Sequence, residues 1–335
     1  MTETPSTTGP GAAQSWRPVF GLALGLALLV STMLVAFGLP AVSSSPHDIP
    51  LAVVAPEEVA GQIGGALDEA QPGAFEVTAA PSEEDAVAMI EGREVYGAFV
   101  VGPMGLTVDV ASAASPTVAQ LITQVGQAAG AQLGVDVTVN DVVPTSEDDP
   151  RGIGLSAGAL PIALGGFIAG VATTLLIRGT GRRLAAMGTF AVVAGLLMVS
   201  ILEFWFGTLT GNFWAASAAA ILGILATGMT VLGVESLLGR PGIAIAAILI
   251  VFLGNPLSGL TSAPEMLPEP WGAIGQLLPP GATGTLLRNV GFFDGAAIGQ
   301  PLLVLGAWLA LGVALLVVAG ARSRHAVARA TIASA

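Results

Sequence analysis

Few side chains in this 335-residue sequence are equipped to do chemistry, and most of those that are lie at the edges of long apolar runs. Glu203 and Glu235 each fall three residues short of the end of such a run, with Trp205 and Arg240 as sequence neighbours. Arg182 and Arg183 close the short polar loop Arg178-Gly-Thr-Gly-Arg-Arg, and Asn255 and Pro256 interrupt another run directly after Gly254. An acid inside an apolar span is a functional marker by default, because burying its charge in hydrocarbon is costly. Three residues of helix is only ~5 Å of depth, so both acids can reach an interface by snorkelling. Interfacial anchoring is therefore the expectation for them. Gating or coupling is the role that Glu203, Glu235, Asn255, Pro256, Arg182 and Arg183 would take if the chain moves a cargo. The lack of an acid at mid-span speaks against a proton relay.

Enzymatic chemistry is poorly provided for. All 11 basic residues are Arg, so there is no Walker lysine, Schiff-base lysine or Ser–Lys dyad. There is no Cys, and therefore no disulfide or thiolate site. His47 and His325 fall on opposite sides of the expected membrane and cannot share a metal. Neither an HExxH helix nor a GxSxG elbow occurs. The run Glu147-Asp-Asp149 lacks EF-hand spacing and its glycine turn, and reads as solvated surface. The expectation is a non-enzyme without cofactor or metal.

The elements that would position these residues are set by hydropathy. Hydrophobic residues make up 53% of the chain and charged residues 10%, against about 25% charged in a soluble domain. One apolar span (17–40) is followed by a polar insert (41–152). Five further spans then begin near Ile153, Leu184, Phe213, Gly242 and Pro301. Each is read as roughly 20 residues or more, enough to cross a ~30 Å hydrocarbon core. The first run, about 21 residues, exceeds the ~7–15 of a signal peptide and is expected to be retained. The fold class is thus an α-helical polytopic membrane protein with six transmembrane helices (1 + 5) and a small extracytoplasmic α/β domain after the first. Residues 1–16 and 321–335 are expected as cytoplasmic tails, and 153–320 as a five-helix domain. Within it, 254–299 is a Pro-rich, re-entrant-like external segment. Three Gly-xxx-Gly pairs (Gly21/Gly25, Gly154/Gly158, Gly166/Gly170) are expected to pack helices within the subunit.

Charge gives the orientation. With the N-terminus inside, Arg17, Arg178, Arg182, Arg183, Arg240, Arg322, Arg324 and Arg329 face the cytoplasm, and Arg93, Arg151 and Arg288 face outward. Eight against three follows the positive-inside rule. The net charge of −12 is concentrated in the insert, which holds 17 acids and two Arg. That balance excludes nucleic acid as a partner. Abundant Ala, Gly and Arg without Lys suggests a GC-rich bacterial genome, and hence a bacterial plasma membrane. Within the insert, apolar and capping patterns predict the order strand–helix–strand–helix–strand–strand–helix–strand, with Ser82 as an N-cap.

Three stretches carry a resemblance. They are Pro46-His-Asp-Ile-Pro-Leu-Ala-Val-Val54 and Gly92-Arg-Glu-Val-Tyr-Gly-Ala-Phe-Val-Val-Gly-Pro103, together with the proline-punctuated segment from Asn255-Pro-Leu-Ser-Gly259 to Leu286-Leu-Arg288. In this order and topology the chain resembles the type-2 ABC export permeases and the related phage-infection-protein membrane family. The resemblance implies a pore-forming subunit that pairs with a second permease copy or paralogue and with a cytoplasmic ATP-binding cassette ATPase. It would export a small or amphipathic molecule across the lipid bilayer. The loop Arg178 to Arg183 is shorter than the docking helix such an ATPase normally uses. That departure keeps a second expectation open, a non-transporting membrane protein whose external domain binds a partner or supports a secretion apparatus.

Overall fold

The computed structural model describes residues 16–102 and 105–333. Residues 1–15 of the tail expected over 1–16, the centre of the turn at 103–104 and the last two residues of the tail expected over 321–335 lie outside the described residues. The chain forms one long apolar helix, a five-stranded mixed sheet with three helices, and a helical bundle. Among the described residues, five helices are long and apolar enough to cross a membrane.

The first, α1 (Arg17–Val42), leads into the sheet domain. There β1 (Ile49–Val54), α2 (Glu57–Ala70), β2 (Phe75–Ala80), α3 (Glu83–Glu91), β3 (Gly97–Gly102), β4 (Gly105–Val110), α4 (Pro116–Leu133) and β5 (Val137–Asp141) follow in the order the sequence predicts. The strands lie in the order β2-β1-β3-β4-β5. Only the β3–β4 hairpin is antiparallel; the other neighbours are parallel and joined by helices. Right-handed crossovers set α2 and α4 on one face and α3 on the other. The interior strand β1, between β2 and β3, is covered on both faces, and its Ile49, Leu51, Ala52 and Val53 are fully buried. Local signals agree with this arrangement. Ser82 Oγ accepts from Asp85 N at 3.1 Å to start α3. Ser115 Oγ caps α4 on Val118 N at 3.2 Å, with Pro116 in the first turn.

One buried acid strains this domain. The Asp109 side chain in β4 is fully buried. Its Oδ1 accepts from Asn140 Nδ2 at 3.1 Å, while its Oδ2 has no partner. Burial raises its pKa, and the Asn140 bond offsets this only in part. A carboxyl with a raised folded-state pKa favours folding in acid, and that contribution is lost as pH rises through the raised value. Asp109→Asn is therefore expected to raise the unfolding midpoint at neutral pH. The gain should vanish in acid, where Asp109 is protonated, and unfolding midpoints at the two pH values check it.

In the bundle, α5 (Ile153–Leu176), α6 (Thr180–Ser200, running on as a π turn to Trp205) and α7 (Phe213–Leu238) are joined by short links. The last helix is α11 (Gly299–Ala333). It carries the segment expected as a tail from 321 onward as a continuous helix to Ala333. The hub is α7, whose apolar window is 78% buried, whereas that of α1 is 0% buried. Outward faces are apolar and exposed, as at Ile168, Leu176 and Leu303. Trp205 and Trp214, 81% and 72% exposed, ring the bundle near the end that carries the sheet domain, where interfacial aromatics belong.

The expected fifth span is not a full one. From Arg240 it runs eight residues as α8 (Arg240–Ala247) and seven more as a π turn to Gly254. At 1.5 Å per residue that is ~22 Å, short of a ~30 Å core. Pro256 supplies no N–H to continue the helical ladder, and the chain passes through Asn255, still helical at φ −77° and ψ −50°, into a 3₁₀ turn. Another half-helix covers the rest of the length of the bundle. After 3₁₀ turns at Pro256–Ser258 and Pro264–Met266 and the short α9 (Trp271–Gln276), α10 (Pro279–Phe292) lies almost wholly buried. Its Thr283 packs on Gly223, about ten residues into α7, and its Gly291 backbone meets Gly211 just before α7 starts. Trp308, about nine residues into α11, donates Nε1–H to Leu277 O at 2.8 Å. Both rulers set the start of α10 roughly 15 Å below the domain end of the bundle. There Gly254 touches Pro280, and the two half-helices meet.

Close approach explains two of the three Gly pairs. A Cβ on Gly166 would lie 2.8 Å from Ile224 O, and one on Gly170 would lie 2.8 Å from Val231 Cβ, so α5 rests on α7. Gly154 and Gly158 are likewise closed off by Thr208 and Leu202. Gly21 and Gly25 face nothing within 4 Å, so that pair does not pack within the subunit. Gly166→Leu is expected to cost roughly 3 kcal/mol or more by overpacking. Gly21→Leu should leave thermal unfolding in detergent unchanged or slightly later, since mid-helix glycine itself costs ~1 kcal/mol.

Candidate functional site

The six residues singled out from sequence do not form one site. At the end of the bundle far from the sheet domain, Arg183 Nη1 lies 3.3 Å from Glu235 Oε2. Sequence proximity suggested Arg240 as the neighbour of Glu235; the fold supplies Arg183 because α6 starts where α7 ends. The same guanidinium donates to Ile177 O and Thr174 O, each at 2.8 Å. These are orphan carbonyls at the end of α5. Arg183 thus ties three helix ends together, while Arg182 beside it is exposed. Glu203 stands alone in the π turn after α6, half-buried, with Oε2 unpartnered.

Asn255 and Pro256 border a cavity of about 410 Å³ at the break between the half-helices. Phe37 of α1 and Leu160 of α5 form its apolar side. Ser44, Ser156, Ser258, Thr261 and Ser262 add hydroxyls. Backbone that leaves the helix at this depth exposes its polar groups, and it is tolerated where it lines a cavity.

A second cavity of about 690 Å³ lies where the sheet domain meets this connector, and Leu267 borders both. The exit from α1 is pinned here: His47 N donates to Glu265 O at 2.9 Å, and Ser45 N to Met266 O at 3.2 Å. Ala263, Met266 and Phe293 of the connector are buried in the same apolar core as the sheet. Tyr96, just before β3, donates its hydroxyl to Glu265 Oε2 at 2.7 Å. Burial, and next the Glu265 charge, push the Tyr96 pKa far up, so it remains a donor. The Arg93 guanidinium stacks 5.2 Å from the Tyr96 ring centre and 4.9 Å from that of Phe293. From α10, Arg288 is buried beside them and donates Nη2–H to Leu260 O at 3.3 Å.

Sequence reasoning missed this cluster, although a signal existed. Arg93 and Arg288 are two of the three arginines that break the positive-inside pattern. A cation that departs from the charge pattern of the rest of the chain calls for a local reason. Asp149 was also misread as solvated surface: its carboxylate caps α5 through Ile153 N and Gly154 N at 3.0 and 2.7 Å. It also accepts from Thr208 at 3.1 Å. It thereby links the sheet domain to the starts of α5 and α7. Among the described residues no group of three or more His, Asp or Glu side chains could hold a metal ion.

No family model, curated protein or solved structure matches the chain.

Proposed function

We propose that this protein is the membrane-spanning permease subunit of an ABC-type exporter, moving a small or amphipathic molecule with energy from a separate ATPase. The observation that carries the reading is the pair of half-helices meeting at mid-depth beside a hydroxyl-lined cavity. Discontinuous helices of this kind build substrate sites in transporters, because they free backbone polar groups where a full helix would satisfy them internally. The role of the protein is conformational: the cavity would open alternately to the two sides, with the half-helices α8 and α10 as the moving parts. A second copy or paralogue would complete the path. The largely exposed apolar surface of α1, with Gly21 and Gly25 unused inside the subunit, supports such a neighbour. The ATPase would dock at the far end, around Arg178 to Arg183.

The test is co-purification of an ATPase from native membranes, combined with nucleotide-dependent accumulation of a fluorescent amphiphile in inside-out vesicles. If neither is found, export is rejected. Orientation in the bacterial plasma membrane, with both termini cytoplasmic and 41–152 outside, has a separate check. Cys placed at exposed Ala131 should react with an impermeant maleimide on intact cells. Cys at Gly181, which has open space around it, should react only after lysis. The reverse pattern would invert the topology.

One observation favours the second reading, a non-transporting protein with a partner-binding external domain. An apolar groove of about 430 Å³ runs between α2 and α4 over Phe75, Phe99 and Leu106. If Ala128→Asp in this groove abolishes biological activity while vesicle flux is absent in the parent protein, that reading replaces export.

A further inference from the structure

The cavity between the sheet domain and α10 has the makings of a ligand site that the export reading does not require. Set back from its rim are two guanidiniums, buried Arg288 and half-buried Arg93, and one half-buried carboxylate, Glu265. The other acids on its wall, Asp48 and Glu269, are exposed at the rim and solvated, and His47 is half-buried. The interior therefore carries one positive charge in excess. Neither arginine closes an ion pair with Glu265, whose Oε2 is taken by Tyr96. An uncompensated buried charge is expensive, so a monoanion would complete the site.

The donors are there to receive it. Arg93 Nε is buried with no partner. Arg288, 6% exposed, spends one of its five N–H groups on a single bond of 3.3 Å to Leu260 O. Asn289 donates to Ala297 O at 3.2 Å, and its Oδ1 is buried and unpaired. That acceptor asks for a ligand hydroxyl beside the anion.

The backbone supplies an independent observation. Four non-glycine residues among those described have positive φ: Asp48 at 47°, Arg93 at 63°, Asp294 at 47° and Ala297 at 51°. Asp48, Arg93 and Ala297 line this cavity, and Asp294 is in the turn that leads to Ala297. Such conformations cost of order 1–3 kcal/mol each and persist where function holds them.

We infer that this cavity binds the singly charged anionic headgroup of an amphiphile, a phosphodiester or carboxylate flanked by hydroxyl, with Arg93 and Arg288 as its cationic pair. The apolar tail would leave past Leu267, which borders both cavities, toward Phe37 on α1. Guanidinium suits this ligand because it presents several N–H groups to two oxygens at once.

The test uses the full chain in an uncharged detergent, titrated with short-chain phosphatidylglycerol, phosphatidylcholine of the same chain length, and inorganic phosphate, read by tryptophan fluorescence. Saturable binding of phosphatidylglycerol, with phosphatidylcholine at least tenfold weaker, is expected. Arg288→Gln should weaken phosphatidylglycerol binding roughly tenfold or more, the effect of removing a charged hydrogen bond. If that buried substitution prevents folding, Arg93→Gln at its half-exposed position gives the same reading. The salt dependence of the unaltered protein gives a further one, since phosphatidylglycerol affinity should fall with added sodium chloride. Inorganic phosphate that binds alone, with the same arginine dependence and no gain from the acyl chains, would assign the site to a free anion. Equal binding of the two lipids, or phosphatidylglycerol affinity unchanged in both arginine variants, overturns the proposal.

Discussion

Arg183→Ala is expected to cost about 3 kcal/mol, within the range for breaking a buried ion pair. The Arg183 and Glu235 side chains are only 20% and 17% exposed, so water can replace the lost contacts only in part. The substitution leaves Glu235 unpaired and strips Thr174 O and Ile177 O of their donor. The unfolding midpoint in detergent should fall by about 4 °C. Glu235→Gln should cost about 1 kcal/mol, because Arg183 keeps both carbonyls and a neutral acceptor. A loss from Glu235→Gln as large as that from Arg183→Ala would mean that the charge pair, and not the closing of α5, is the main function of this clamp. The expected order would mark Arg183 as a structural tie between the ends of α5, α6 and α7.

Locking α10 to α7 should stop transport. In a chain without Cys, Gly223→Cys combined with Thr283→Cys gives a single defined pair. A Cβ on residue 223 would lie 3.0 Å from Thr283 Cβ, a few tenths of an ångström inside the usual disulfide range. Replacing the branched threonine relieves the crowding that Gly223→Cys alone would suffer. Oxidation is expected to lower nucleotide-dependent flux by on the order of tenfold or more, as for any step gated by a moving element. Reductant should restore it. Flux unaffected by the crosslink would show that α10 stays fixed during turnover, and the path would then have to lie elsewhere in the bundle.

Both predictions concern places where local sequence gave partial guidance. The half-crossings show why. Residues 242–253 have the composition of a span, and hydropathy alone extends the run. Gly254-Asn-Pro256 marks a break, but it does not tell whether the chain leaves the membrane or turns within it. That choice depended on Gly223 and Gly211 being bare enough to admit α10 against α7, a fact about another helix. The Arg183–Glu235 pair has the same character: the sequence offered Arg240, five residues away, and the fold chose a partner 52 residues away. The external domain was far more legible. Its strands alternate or run apolar over short lengths, and Ser82, Ser115 and Gly134 punctuate its helices, so each element is declared by its own residues.

By itself the sequence determined the long apolar helices, the acidic α/β insert after the first of them, and the absence of lysine and cysteine chemistry. Those properties are local: they depend on hydropathy, on capping and on which atoms exist. Only the tertiary structure decided that Arg93 and Tyr96 of the insert would meet Glu265 and Arg288 of the connector, 169 residues or more later. It likewise decided that the insert would share its core with Ala263, Met266 and Phe293. These contacts arise because α10 turns back into the bundle and carries the connector up under the sheet. A charge then finds its partners through packing that no single stretch of the chain encodes.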